Sequence, residues 1–291
     1  MIAMSDPNSK TTHVPDSMAQ VGIVTRYTFR DYLRSRRFAI LLGIMLIISV
    51  LLTAVVAHYR PASFVGSGAL AFYSGWWGMS VTFITVLSGI FFGGDAISGE
   101  FQNKTGYFTV PNPIRRSSIY VGKWLSALIA SSIVLLIFIA ITIANEALYY
   151  PVSVPWQFAE SILFAWFYLI AVLGFTFFFS SLFKSTSYSI LVTAILFLFA
   201  FTLIETLVAD LAQVEPWFIL TYGSEIIGNV LMSPYPPHIT TIRGIAGRGG
   251  ANAPAFTSFN ATIPEGLAII GVYFVVTAIL GLVLFERKEF N

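Results

Sequence analysis

The 291-residue chain contains no cysteine, which excludes disulfides, thiol nucleophiles and cysteine-based metal sites. Charge is nearly as scarce. Asp, Glu, Lys and Arg supply 10% of the residues, where soluble domains carry roughly a quarter. A net charge of +2 is too small to imply a nucleic-acid partner. The histidines, His13, His58 and His238, are scattered and outside the apolar runs, and neither a zinc-ligand spacing nor a serine–histidine pair can be built from them. A P-loop is missing as well. At the one Gly-Lys pair, Gly122-Lys123, Ser117 stands where the motif needs its first glycine and Trp124 where it needs Ser or Thr.

What abounds is apolar surface: 56% hydrophobic residues, 27 phenylalanines and a mean hydropathy of +0.79. This composition predicts a polytopic membrane protein. About 20 apolar residues are needed to cross a hydrocarbon core as a helix. Six runs meet that length: Phe38–Ala57, Leu70–Gly93, Trp124–Asn145, Phe158–Phe183, Tyr188–Val208 and Glu265–Phe285. All six are expected to be helical, because unpaired backbone in lipid is too costly. The fold class is therefore all-α with six transmembrane helices. The run from Phe38 has no small-residue cleavage site before its end and reads as a retained anchor rather than a signal peptide.

An even number of spans places both termini on one side. Thirteen lysines and arginines fall on that side and three, Arg60, Arg243 and Arg248, on the other. The bias predicts cytoplasmic termini in a plasma-membrane protein. The implied organisation is a cytoplasmic tail over 1–20, an amphipathic helix over 21–37 and a six-helix domain over 38–291, with a cytoplasmic loop at 94–123 and a large outer loop at 209–264. In VGIVTRYTFRDYLRSRRF (21–38), Arg26, Arg30, Arg34 and Arg37 recur at helical spacing. The stripe suits a helix lying in the interface near anionic lipid, or a plain topology signal. In the outer loop, WFILTYGSEIIGNVLM (217–232) is apolar enough to re-enter the membrane but too broken to span it, and Asn260-Ala-Thr262 is a glycosylation tripeptide.

No span carries an ionisable residue at its middle, which argues against a proton- or ion-coupled carrier. Glu146, Glu160 and Glu205 sit at outer span ends and read as wetted, loop-anchoring acceptors, or as an acidic ring at an exit path. Phe72, Trp76, Trp77 and Phe83 form an aromatic cluster that either lines a hydrophobic cargo path or belongs to the interfacial belt.

The loop GGDAISGEFQNKTGYFTVPNPIRRSSIYVGK (93–123) is far more polar than its neighbours. Topology accounts for Arg115, Arg116 and Lys123, but not for Asp95, Glu100, Thr105 or the prolines. The middle of the loop is expected to form a short helix, and Pro111 and Pro113 to end it. Here the chain resembles the permease subunits of type-2 ATP-binding-cassette exporters, archaeal and bacterial members especially. Glu100, Thr105, Pro113, Arg116, Ile119, Gly122 and Lys123 stand at that family's spacing, with Lys104 where it usually has Gly. The terminal LVLFERKEF is also similar.

The resemblance implies a half-transporter without enzymatic activity of its own. It would act as a dimer with an identical or related permease chain, in contact with membrane lipids, and dock two separate ATPase subunits that hold the ATP and Mg. No cofactor is expected in this chain. Asp95, Glu100, Lys104, Thr105, Pro113, Arg115, Arg116 and Lys123 would serve coupling to the ATPase. The second and fifth spans would line the path for a hydrophobic or amphipathic cargo. The alternative is a secondary carrier or channel working without an ATPase.

Overall fold

The computed structural model describes residues 16–60, 68–103, 115–150, 154–243 and 255–288. They form a helical bundle in which six helices are long and apolar enough to cross a membrane. A shorter helix, α1 (Ser17–Arg34), precedes them. The six are α2 (Arg36–Tyr59), α3 (Ala69–Gln102), α4 (Arg116–Glu146), α5 (Trp156–Leu182), α6 (Thr186–Ala209) and α9 (Ile263–Arg287). Each covers one of the six apolar runs, as expected where every backbone polar group must be paired within its own segment.

Between α6 and α9 lie two short helices, α7 (Leu220–Ser224) and α8 (Ile226–Asn229), and an antiparallel hairpin of β1 (Ile239–Arg243) and β2 (Ala255–Phe259). The segment expected to re-enter the membrane folds as α7 and α8, packed on the ends of α5 and α9. Ser161 of α5 donates to the Ile227 carbonyl at 2.6 Å and accepts from Trp77 Nε1 at 2.8 Å, so one hydroxyl ties α3, α5 and α8 together. The start of α9 is fixed by Glu265, which accepts from the Thr262 backbone at 3.1 Å and the Thr262 hydroxyl at 2.7 Å. The threonine of the glycosylation tripeptide is thus part of a helix cap.

The core is built around α5, which touches α3, α4, α6 and α9. Glycines set its closest approaches: a Cβ at Gly93 would collide with Thr176 of α5. Gly93 and Gly94 are expected from sequence as the place where the second span can stop. Gly94 has ordinary helical φ of −61°, so close helix contact, rather than left-handed backbone, explains why glycine stands there. Enclosure differs sharply along the chain. In the most apolar window of α3, 72% of residues are buried, against 11% in α6. Helix α6 is therefore peripheral, with Leu191, Ile195, Phe199 and Leu203 left exposed.

Glu146 departs from the expected wetted helix end. It is fully buried at the close of α4, and its carbonyl accepts from the backbone of Tyr149 and Tyr150 at 2.9 and 3.0 Å. Glu160 stays at the surface, taking a 2.9 Å hydrogen bond from Trp156 Nε1 one turn before it.

Candidate functional site

At the end of the bundle where α1 packs beside α4, polar groups converge on the short helical turn that closes α3. Helix α3 runs to Gly93, turns through 94–97 and resumes over Ser98–Gln102. A five-residue helix cannot satisfy its own ends, so partners come from other helices. Ser180 of α5 accepts from the backbone N–H groups of Ile97 and Ser98 at 2.9 and 3.0 Å. At the other end, Gln102 accepts from the Thr186 backbone and hydroxyl, both at 2.7 Å, and so caps the start of α6. Ser189 of α6 donates to the Gly94 carbonyl. The turn is therefore pinned between α5 and α6.

A third helix holds it from the side. Lys123 of α4 donates to the Glu100 carboxylate and, at 2.8 Å, to the Ala96 carbonyl. The two charged side chains are only 14% and 16% exposed, which protects the pair from solvent screening. Asp95 pairs with Arg37 at the start of α2. Tyr32 of α1 donates to the Phe92 carbonyl at 2.9 Å and packs on the Phe92 ring at 5.2 Å. Its phenol is raised well above the ordinary range by burial first and by Asp95 second. These groups line a cleft of about 450 Å³ that also contains Asp31, Gly99 and Asn103.

Two further cations of this end, Arg116 and Lys288, bond elsewhere. Arg116 donates to the Glu286 and Lys288 carbonyls at 2.8 and 2.9 Å. Lys288 in turn donates to the Ser181 and Phe183 carbonyls, both at 2.9 Å, at the carboxyl end of α5, and lies 4.3 Å over the Phe101 ring. Burial, with Lys184 nearby, lowers the Lys288 ammonium to about 8. Arg115 is exposed, and its backbone N–H donates to Gln20 at 3.1 Å. Gly122 has a packing reason: a Cβ there would stand 2.8 Å from Val24 of α1 and 3.1 Å from the Val21 carbonyl. The threonine beside them, Thr25, donates to the Gly122 carbonyl at 3.2 Å.

Of the residues read from sequence as coupling candidates, the structure gathers Asp95, Glu100 and Lys123 at this cleft and places Arg115 and Arg116 at the adjacent start of α4. Lys104, Thr105 and Pro113 lie outside the described residues. Sequence reading missed Ser180, Gln102 and Tyr32, whose parts depend on contacts with distant segments, and it placed Arg37 in the basic stripe of the preceding helix, whereas Arg37 stands in α2 and pairs with Asp95.

The candidates for a cargo path divide. Phe72, Trp76 and Trp77 are fully buried, and Trp77 stacks on Phe138 at 5.5 Å while Phe72 stacks on Trp76 at 5.8 Å. Phe83 is 42% exposed. It borders a cavity of about 540 Å³ between α3 and α6, with Met79, Phe197, Phe199, Glu205 and Thr221 among its walls. Both flanking helices widen into π-turns, over Ser74–Gly78 in α3, over Leu196–Ala200 in α6 and over Leu207–Leu211 at the end of α6. Such turns often mark functional helix segments.

The family model described as ABC-2 family transporter protein matches residues 23–290. The match takes in all six long helices, the whole 94–123 segment and most of α1. No curated protein matches the chain.

Proposed function

Since the chain belongs to the ABC-2 transporter family, and is thereby a multi-pass membrane transport subunit, we propose that it is the permease half of an ATP-driven exporter energised through Ser98–Gln102. The carrying observation is that this one turn is bonded at once to α4 (Lys123), α5 (Ser180) and α6 (Thr186). A push on it from a soluble partner is passed to three spans rather than absorbed in a loop.

In this reading the charged end faces the cytoplasm, in keeping with the thirteen-to-three bias of lysine and arginine. Two ATPase subunits holding ATP and Mg dock there, and a second permease chain completes the translocation unit. Nucleotide binding favours one arrangement of the assembly over another and so biases the two-state equilibrium of the spans. The ion pairs of Asp95 and Glu100 keep the turn rigid; they position the docking element rather than reach for the partner. The α3–α6 cavity takes the cargo, a hydrophobic or amphipathic molecule whose apolar part meets Phe83, Phe197 and Phe199. Membrane lipid covers the exposed apolar faces.

Affinity purification of the native complex in mild detergent tests the proposal. A nucleotide-binding subunit should copurify and the preparation should hydrolyse ATP. Recovery of this chain without any ATPase, from membranes in which it is functional, would contradict it and favour the carrier or channel reading.

A further inference from the structure

At the end of the bundle opposite the charged cleft, three residues far apart in sequence converge. They are Glu215 beyond the end of α6, His238 just before β1, and Glu265 in the first turn of α9. One ligand atom from each lies within 4.8 Å of the other two. We propose that Glu215, His238 and Glu265 form a divalent metal site with a preference for zinc, clamping the hairpin to the ends of α6 and α9.

The donor chemistry fits. Zinc takes imidazole nitrogen and carboxylate oxygen, commonly from three protein ligands with a fourth position left for water. One imidazole with two carboxylates suits zinc better than the all-oxygen shells preferred by magnesium and calcium. Tetrahedral zinc with bonds of about 2.0–2.2 Å holds its ligand atoms roughly 3.3–3.6 Å apart. The Nε2 of His238 is 3.5 Å from Glu215 Oε2, while Glu265 Oε2 lies 3.7 Å from the other ring nitrogen, Nδ1, so the Glu265 carboxylate must turn toward Nε2 to share an ion with Glu215.

Each ligand is also oriented from outside the trio, as ligands of metal sites generally are. The Nδ1 of His238 is 3.0 Å from the Asn260 carbonyl, in position to donate its proton there, which leaves the Nε2 lone pair for a metal. The base of the hairpin is closed by Asn260, whose backbone N–H donates to the His238 carbonyl at 2.9 Å and whose side chain donates to the Pro237 carbonyl at 2.9 Å. Glu215 accepts from the Tyr222 hydroxyl at 2.7 Å through Oε1, which keeps Oε2 turned to the imidazole. Glu265 is held by Thr262.

Charge balance points the same way. Among the described residues, His238 is the only basic side chain paired with Glu215 or Glu265. His238 and Glu215 are 34% and 24% exposed, so the site is sheltered yet reachable.

The test uses the detergent-purified chain, with its partner subunits where these copurify, stripped by chelator and equilibrated with zinc. Metal content after removal of excess zinc should be one zinc per chain, and zinc should raise the unfolding temperature while magnesium at the same concentration should not. His238→Ala and Glu215→Gln should each weaken zinc binding at least tenfold, and Glu160→Gln should leave it unchanged. Cobalt added to the unaltered chain should give the visible absorption of a four-coordinate nitrogen–oxygen site, a readout that depends on no variant. Absence of stoichiometric zinc and of the cobalt spectrum in the unaltered chain would overturn the proposal. So would zinc affinity unchanged in a folded His238→Ala chain.

Discussion

Lys123 reaches from α4 across to the turn that ends α3, where its ammonium group bonds both the Glu100 carboxylate and the Ala96 carbonyl. The Gly122-Lys123 pair, which does not belong to a P-loop, therefore has a structural explanation. Gly122 admits α1 on one face of α4, and Lys123 holds Glu100 on another.

The ion pair gives the first prediction. Lys123→Met leaves Glu100 in a sheltered position without its cation, at a cost of about 1.5–3 kcal/mol. It should lower the unfolding temperature by several degrees and reduce transport more than membrane insertion. Glu100→Gln, which keeps a hydrogen-bond acceptor, should lose less of both. Equal losses in the two variants would mean that charge pairing is not what holds the turn.

Ser180→Ala removes the acceptor for the buried N–H groups of Ile97 and Ser98. The expected destabilisation is about 1–3 kcal/mol. It should be local, so amide hydrogen exchange should accelerate at Ile97 and Ser98 while the middle of α5 keeps its protection. Uniform acceleration along α5 would assign Ser180 to the general packing of the bundle.

Gly122→Leu should free α1 from α4, because even the first carbon of the new side chain meets Val24 and the Val21 carbonyl. Overpacking of this kind costs about 1–3 kcal/mol. Limited proteolysis should cut between α1 and α2 in the variant and spare that site in the parent chain. An unchanged digestion pattern would show that α1 is held by other contacts.

A pH dependence follows from Glu225, between α7 and α8. Burial pushes its carboxyl up to about 8 against a hydrogen bond from the Ala261 backbone, and neighbouring Glu205 adds to the rise. The folded state thus holds this proton more tightly than the unfolded chain, so the stabilisation is complete below the ordinary carboxylate range and is lost as pH rises through about 8. The unfolding temperature should fall by several degrees between pH 6 and about 9, and Glu225→Gln should flatten that slope. A slope that is the same in the variant would place the titrating group elsewhere.

The six spans were legible because the bilayer imposes a length and a polarity on each, and both are written locally. Asp95, Glu100 and Lys123 could be picked out because their charges interrupt that pattern. Ser180 could not, since a serine near the end of an apolar helix looks the same whether it meets lipid or caps another helix. The burial of Glu146 is not visible in its place at a span end, and the trio of Glu215, His238 and Glu265 spans 50 positions in the sequence. Phe72, Trp76, Trp77 and Phe83 share an aromatic signature, yet three are buried and one borders a cavity. Composition alone does not say which way a side chain faces.

The claim that a soluble ATPase engages the end of α3 is tested most directly by site-specific photo-crosslinking in the native complex. A photoreactive residue at Asn103, exposed beside the charged cleft, should crosslink to a nucleotide-binding subunit, and one at Met232, exposed at the opposite end, should not. No crosslink from Asn103, or an equal yield from Met232, would contradict the account.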